Sequence, residues 1–173
     1  MNICLRSVAA LLFYFVSMVS LQAQSDSKQA QLAQIRKMYA EAKAQAANSN
    51  QSNETVVTSN YSIPSTGLTK DVTHYYYHGE YDEHLGSTFF TPYLIIRKHN
   101  AAAEEYYEEF LFDKGALVFY FSKQGANETR YYWGTNSLLT ELIKGERQMD
   151  EVFAARLAGD LKEAFNKLLN REY

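Results

Sequence analysis

The stretch YYEEFLFDKGALVFYFSKQGANETRYYW, residues 106–133, decides the fold. Its runs Tyr106 to Phe112, Leu117 to Ser122 and Glu128 to Trp133 are rich in aromatic and branched side chains and are separated by turn residues, the pattern of short antiparallel strands. Phe112 joins Leu117 through Asp113, Lys114 and Gly115, a loop so short that it needs the positive φ a glycine supplies. A second copy of the motif follows, with Tyr131, Tyr132, Trp133, Asn136 and Leu138 in the places of Phe110, Leu111, Phe112, Gly115 and Leu117. Two consecutive hairpins predict a continuous meander, since a solenoid needs at least three stacked repeats.

Reading outward, the same period extends from Glu54 to about Ile143. Further strands are expected near Thr55 to Tyr61, Val72 to His78, Tyr93 to His99 and Leu138 to Ile143. On either side the period becomes helical. From Ser27 to Ala47, Leu32, Ile35, Tyr39, Ala42 and Ala46 form a thin apolar stripe, with Asp26 in position to cap it. The polar run Asn48 to Asn53 competes for backbone hydrogen bonds and reads as a linker. At the other end Val152, Phe153, Leu157, Leu161, Phe165 and Leu168 line one face of a stronger helix capped by Asp150, with Gly159 as a site for a bend. The expected fold is therefore α+β: an antiparallel β-meander of five to seven strands with an N-terminal and a C-terminal helix packed on one face, the other face staying partly open.

The amino terminus bounds the compartment. Arg6 precedes an uncharged apolar run, Val8 to Leu21, that ends at small residues around Ala23, the order of a cleavable signal peptide. The run is shorter than the roughly 18 to 20 residues needed to span a bilayer, so no stable membrane anchor is expected. Cys4 lies ahead of the run, where it cannot serve as a lipid attachment site, and it leaves with the peptide. The expected organisation is a signal peptide over 1–23, an N-terminal helix and polar linker over 24–53, and the meander with its C-terminal helix over 54–173, all beyond the peptide forming one globular domain. Such a chain folds in the periplasm or outside the cell, without disulfides. It carries a net charge of −3, or −4 once Arg6 is lost, which argues against a nucleic-acid partner.

Chemistry-bearing residues are sparse. Tyrosine is the unusual quantity, 14 of 173 residues, and the strands carry large side chains at both even and odd positions. An open sheet face bearing Tyr75, Tyr76, Tyr77, Tyr132 and Trp133 can stack sugars or grip a protein of the cell envelope; aromatics are favoured in strands in any case, so the same pattern also fits a core with two buried sides. The segment from His78 to His84 adds Glu80, Asp82 and Glu83 in what reads as an acidic loop, and His78, Asp82 and His84 join the candidate binding residues. That loop's spacing matches no metal-ligand pattern, and no motif asks for a cofactor. The pairs Glu104 with Glu105 and Glu108 with Glu109 read as solvated edge charges, with Glu108 and Glu109 on opposite faces of their strand. No serine elbow, Cys–His pair or phosphate loop is present. The expected function is non-catalytic binding; the alternative is a secreted or periplasmic hydrolase, which requires His78, Asp82, Glu83 and His84 to converge on one pocket.

On the motif from Glu109 to Leu117 followed by Arg130, Tyr131, Tyr132 and Trp133, the chain resembles small exported bacterial proteins built on aromatic meander hairpins. Members of that loose group commonly have no assigned biochemical role, so the resemblance implies a fold and no site residue.

Overall fold

Alternating aromatic and branched residues pair here as seven antiparallel strands in one sheet whose spatial order is the chain order. The computed structural model describes residues 26–48, 50, 52–64, 67–101, 104–134, 138–146 and 150–170. A helix, α1, covers residues 26–46. The strands are β1 (Asn53–Ile63), β2 (Gly67–Asp82), β3 (Ser87–Ala101), β4 (Glu104–Asp113), β5 (Ala116–Gln124), β6 (Asn127–Trp133) and β7 (Leu138–Lys144), followed by the helix α2 (Glu151–Leu169). The expected α+β meander with a helix at each end is what the chain forms. The expected signal peptide lies outside the described residues.

The turns follow their chemistry. Asp113 pairs with Ala116, so the β4–β5 loop is the two residues Lys114 and Gly115, both at positive φ (49° and 79°), as a hairpin turn matched to strand twist requires. Asn136, the expected counterpart in the second motif, lies outside the described residues. At α2 the carboxylate of Asp150 accepts from the N–H of Phe153 at 2.9 Å, the expected cap. Asp26, expected as the cap of α1, is already helical.

Cross-strand partners sort the core into two layers. Leu94 lies opposite Leu111, Leu111 opposite Phe119 and Phe119 opposite Tyr132, and this row packs with Leu32, Ile35 and Ala42 of α1. One residue along each strand, Ile95, Phe110, Tyr120 and Tyr131 form the next row and pack with Ala154, Ala158 and Phe165 of α2. Neighbouring residues of a strand point to opposite faces, so the two helices cover opposite faces of the sheet. That corrects the expectation of both helices on one face. The physical reason is that the strands are large and apolar at both parities, and each face needs its own cover.

Two local readings also change. The buried side of α2 carries Ala154, Ala158 and Phe165, flanked by Leu157, Leu161 and Leu169, while Val152, Phe153 and Leu168 are exposed. Ala154 and Ala158 share the buried cluster with Tyr120 and Tyr131, and of the expected positions Leu157, Leu161 and Phe165 stay on that side. The segment expected as an acidic loop is strand up to Asp82, with the turn formed by residues 83–86.

Candidate functional site

The eight expected binding residues are divided between the two layers and a projecting arm. Tyr75 is buried under α2 with its ring centroid 5.5 Å from that of Phe165, and Tyr77 meets Phe90 edge-on at 5.4 Å. Trp133 is on the same side, and its indole N–H donates to Glu151 at 3.0 Å. Tyr132 is buried on the other side under α1, against Phe119, with the Arg36 guanidinium 5.7 Å above its ring. Tyr76 is half-buried against the α1 layer, and burial, followed by its hydrogen bond to Glu54, pushes its hydroxyl up to about 12. The expected open aromatic face therefore does not form as one surface: its tyrosines face two ways, and Tyr75 and Tyr132 are core.

His78, Asp82 and His84 belong to a different feature. Tyr77 is the last residue of β2 opposite β1, and Leu94 is the first of β3 opposite β4, so from His78 to Tyr93 the two strands have only each other as partners in the sheet. This arm is a two-stranded ribbon that projects past its neighbours. At its tip Asp82 accepts from the backbone N–H groups of His84 (2.8 Å) and Leu85 (3.1 Å), and the N–H of Gly86 donates to the Asp82 carbonyl at 2.8 Å. Along it Tyr81, Leu85 and Phe89 are 65%, 67% and 44% exposed.

The base of the arm is held on both sides. Phe90 lies across Gly79, where a Cβ would sit 3.1 Å from its ring, so any larger residue would push the ring back by a few tenths of an ångström. Asn170, the residue that ends α2, accepts from the Phe90 N–H at 2.8 Å and donates to the Phe90 carbonyl at 2.7 Å. Its amide thus pairs with the β3 edge as a strand would. On the other face His78 stacks on Tyr93 with centroids 4.5 Å apart.

The His/Asp/Glu set required for hydrolysis is not brought together. Asp82 is engaged by the turn, His84 and Glu83 are exposed on it, and His78 lies four strand residues back, about 13 Å away at the usual strand rise. Glu80, Tyr81, Asp82, Glu83, His84 and Phe89 line a shallow open concavity on the arm. Among the described residues no group of three or more His, Cys, Asp or Glu could hold a metal ion.

The structure also reveals two buried carboxylates that had read as solvated edge charges. Glu108 and Glu109 sit on β4, the central strand of the seven, and are 1% and 2% exposed. They point to opposite faces, as their spacing predicts. On the α2 face Glu108 accepts from Arg97 Nη1 at 3.1 Å and from the Tyr120 hydroxyl at 2.8 Å, and Arg97 Nε also donates to Asp71 at 2.9 Å. His99, stacked on Tyr106 at 4.6 Å, brings its Nδ1 to 3.9 Å from Glu108. Burial raises the Glu108 carboxyl above its ordinary range despite the bonds from Tyr120 and Arg97, and it lowers the His99 imidazole, with Arg97 adding to that effect.

On the α1 face Glu109 accepts from Lys43 Nζ at 2.6 Å and from the hydroxyls of Tyr39 and Tyr107. Burial, and then the bond to Glu109, pushes both of those hydroxyls well above their ordinary range. Each carboxylate is thus met by one cation and at least one tyrosine, the pairing that makes a buried charge tolerable. With its oxygens bonded to Arg97 and Tyr120, Glu108 is a tether within the sheet; Glu109 is a tether between the sheet and α1. No sequence signal separates such residues from edge charges, because strand order is what makes β4 central.

No protein family, curated protein or solved structure matches the chain.

Proposed function

We propose that this chain is an exported, non-catalytic binding module that takes a protein partner of the cell envelope on the β2–β3 arm. The observation that carries the reading is the exposure of Tyr81, Leu85 and Phe89 on a ribbon that extends beyond every neighbouring strand. Aromatic and aliphatic anchors on a protrusion are what a partner's pocket desolvates most profitably, each anchor contributing on the order of 2 kcal/mol. His78, Asp82 and His84 are the polar residues that share the arm with those anchors. Export rests on the order of Arg6, the apolar run and Ala23.

The test is capture of partners from cell-envelope extract by the wild-type protein and by the triple variant Tyr81→Ser, Leu85→Ser, Phe89→Ser, alongside a glycan panel. A protein held by the wild type and weakened at least tenfold by the variant, whose circular dichroism is unchanged, is the expected result. Equal retention by the variant, or binding to a glycan alone, defeats the reading.

A further inference from the structure

The two edges of the sheet are built differently. At one edge β7 has seven residues, carries Glu141 and Lys144, and shifts register against β6 between Tyr132 and Trp133. Shortness, charge and a bulge are the ordinary guards against strand addition. At the other edge β1 has eleven residues in unbroken register with β2, and it contains no lysine, arginine, proline or glycine. Its one charge, Glu54, is bonded to His74 Nδ1 at 2.7 Å. Val56 is 50% exposed on it, and among the described residues no strand pairs with its outer side.

We propose that this edge takes β1 of a second copy, antiparallel about a two-fold axis at Thr58, joining the two seven-stranded sheets edge to edge. Thr58 is the midpoint of β1, so this register pairs every residue of the strand. It sets Val56 opposite Asn60, Thr55 opposite Tyr61 and Glu54 opposite Ser62 of the other copy. The two Glu54 side chains then lie about 26 Å apart at the strand rise, beyond the roughly 8 Å over which charges interact at physiological ionic strength. A second copy is favoured over a growing filament by the contrast between β1 and β7: a two-fold pairing consumes both β1 edges and leaves the guarded β7 at each end of the joined sheet. The joined edge is about 37 Å long and, at a sheet thickness of about 10 Å, buries about 370 Å² per partner, under half of the roughly 800 Å² of a standard interface. Association is therefore expected to depend on concentration in the micromolar range. The arms project from opposite ends of such a pair and stay free.

Sedimentation velocity on the full protein from about 1 to about 500 μM tests the idea, and the expected result is a shift from one chain mass to two. Val56→Lys with Asn60→Lys places lysine opposite lysine in both symmetric pairs at positions exposed in the single chain, and it is expected to weaken association at least tenfold with unchanged circular dichroism. Val56→Lys with Asn60→Glu turns the same pairs attractive and is expected to restore it. One chain mass at every wild-type concentration, doubling that survives the double lysine, or failure of the lysine–glutamate variant to recover would each overturn the proposal. The arm variants leave the mass unchanged, so this test and that of the binding reading fail independently.

Discussion

The two helical layers are attached to the sheet by different physics. α2 brings Phe165, Leu157 and Leu161 onto aromatic rings and adds polar staples along its length, Glu151 to Trp133, Lys162 Nζ to the Gly115 carbonyl at 2.6 Å, and Asn170 to Phe90. α1 buries Leu32, Ile35 and Ala42 with Met38, Tyr39 and Ala46 packed beside them, and its polar anchors, Lys43 and Tyr39, converge on the one carboxylate of Glu109. Both helices bury three apolar residues and flank them with three more; what differs is the polar part, which is spread along α2 and gathered on one buried carboxylate at α1.

The largest blow to this contrast is Phe165→Ala. It empties a fully buried ring site between Tyr75 and Tyr77, and unfolding in denaturant is expected to lose about 3 to 5 kcal/mol for the whole domain. A loss under about 1 kcal/mol would mean that α2 is not held by burial. Lys43→Met acts on the other layer. Removing one partner of a buried pair costs about 3 to 5 kcal/mol, but Lys43 is 36% exposed and the two tyrosine hydroxyls remain on Glu109, so about 1 to 2 kcal/mol is expected. Hydrogen exchange sharpens the point: α1 amides should lose protection at least tenfold while α2 amides keep theirs. Equal loss in both helices would show one cooperative layer rather than two attachments.

Acidification probes the α2 face. His99 has a folded pKa below its unfolded value of about 6.5, so its contribution is present above that pH and is lost as pH falls through the folded value. Glu108 is raised, so its contribution is full below its unfolded value and declines as pH rises through the folded one. His99→Gln should therefore flatten the fall in denaturant midpoint below pH 6.5, and Glu108→Gln should reduce the decline on the neutral side; the Arg97–Asp71 pair that faces both groups is left in place by either variant. An unchanged pH profile for His99→Gln would remove the histidine from this account. The smallest effect is Gly159→Ala. The helix runs through Gly159 unbroken and a Cβ there meets nothing within 4 Å, so a gain of about 0.5 to 1 kcal/mol in thermal or denaturant unfolding is expected. A loss would reveal strain at that turn.

What was readable in the chain, and what was not, follows the same physical division. Strand and helix periods, the Lys114–Gly115 turn and the Asp150 cap depend on neighbours within a few residues, so the α+β meander could be read from the chain. The expected aromatic face could not survive, because alternation assigns Tyr75 and Tyr76 to opposite sides without saying that both sides will be covered. The arm was half visible: its His, Asp and Glu residues stood out, but Ser87 to Thr91 had to be paired with His78 to Asp82 before a loop became a ribbon.

Local order along the chain, then, was determined by the sequence alone: periodicity, turns, caps and the excess of tyrosine act over distances that the backbone itself spans. Tertiary structure alone decided that β4 is central, that Glu108 and Glu109 are dry, that each helix takes its own face and that, among the described residues, no strand covers the outer edge of β1. Those depend on which strands stand side by side, and burial is a property of neighbours in space.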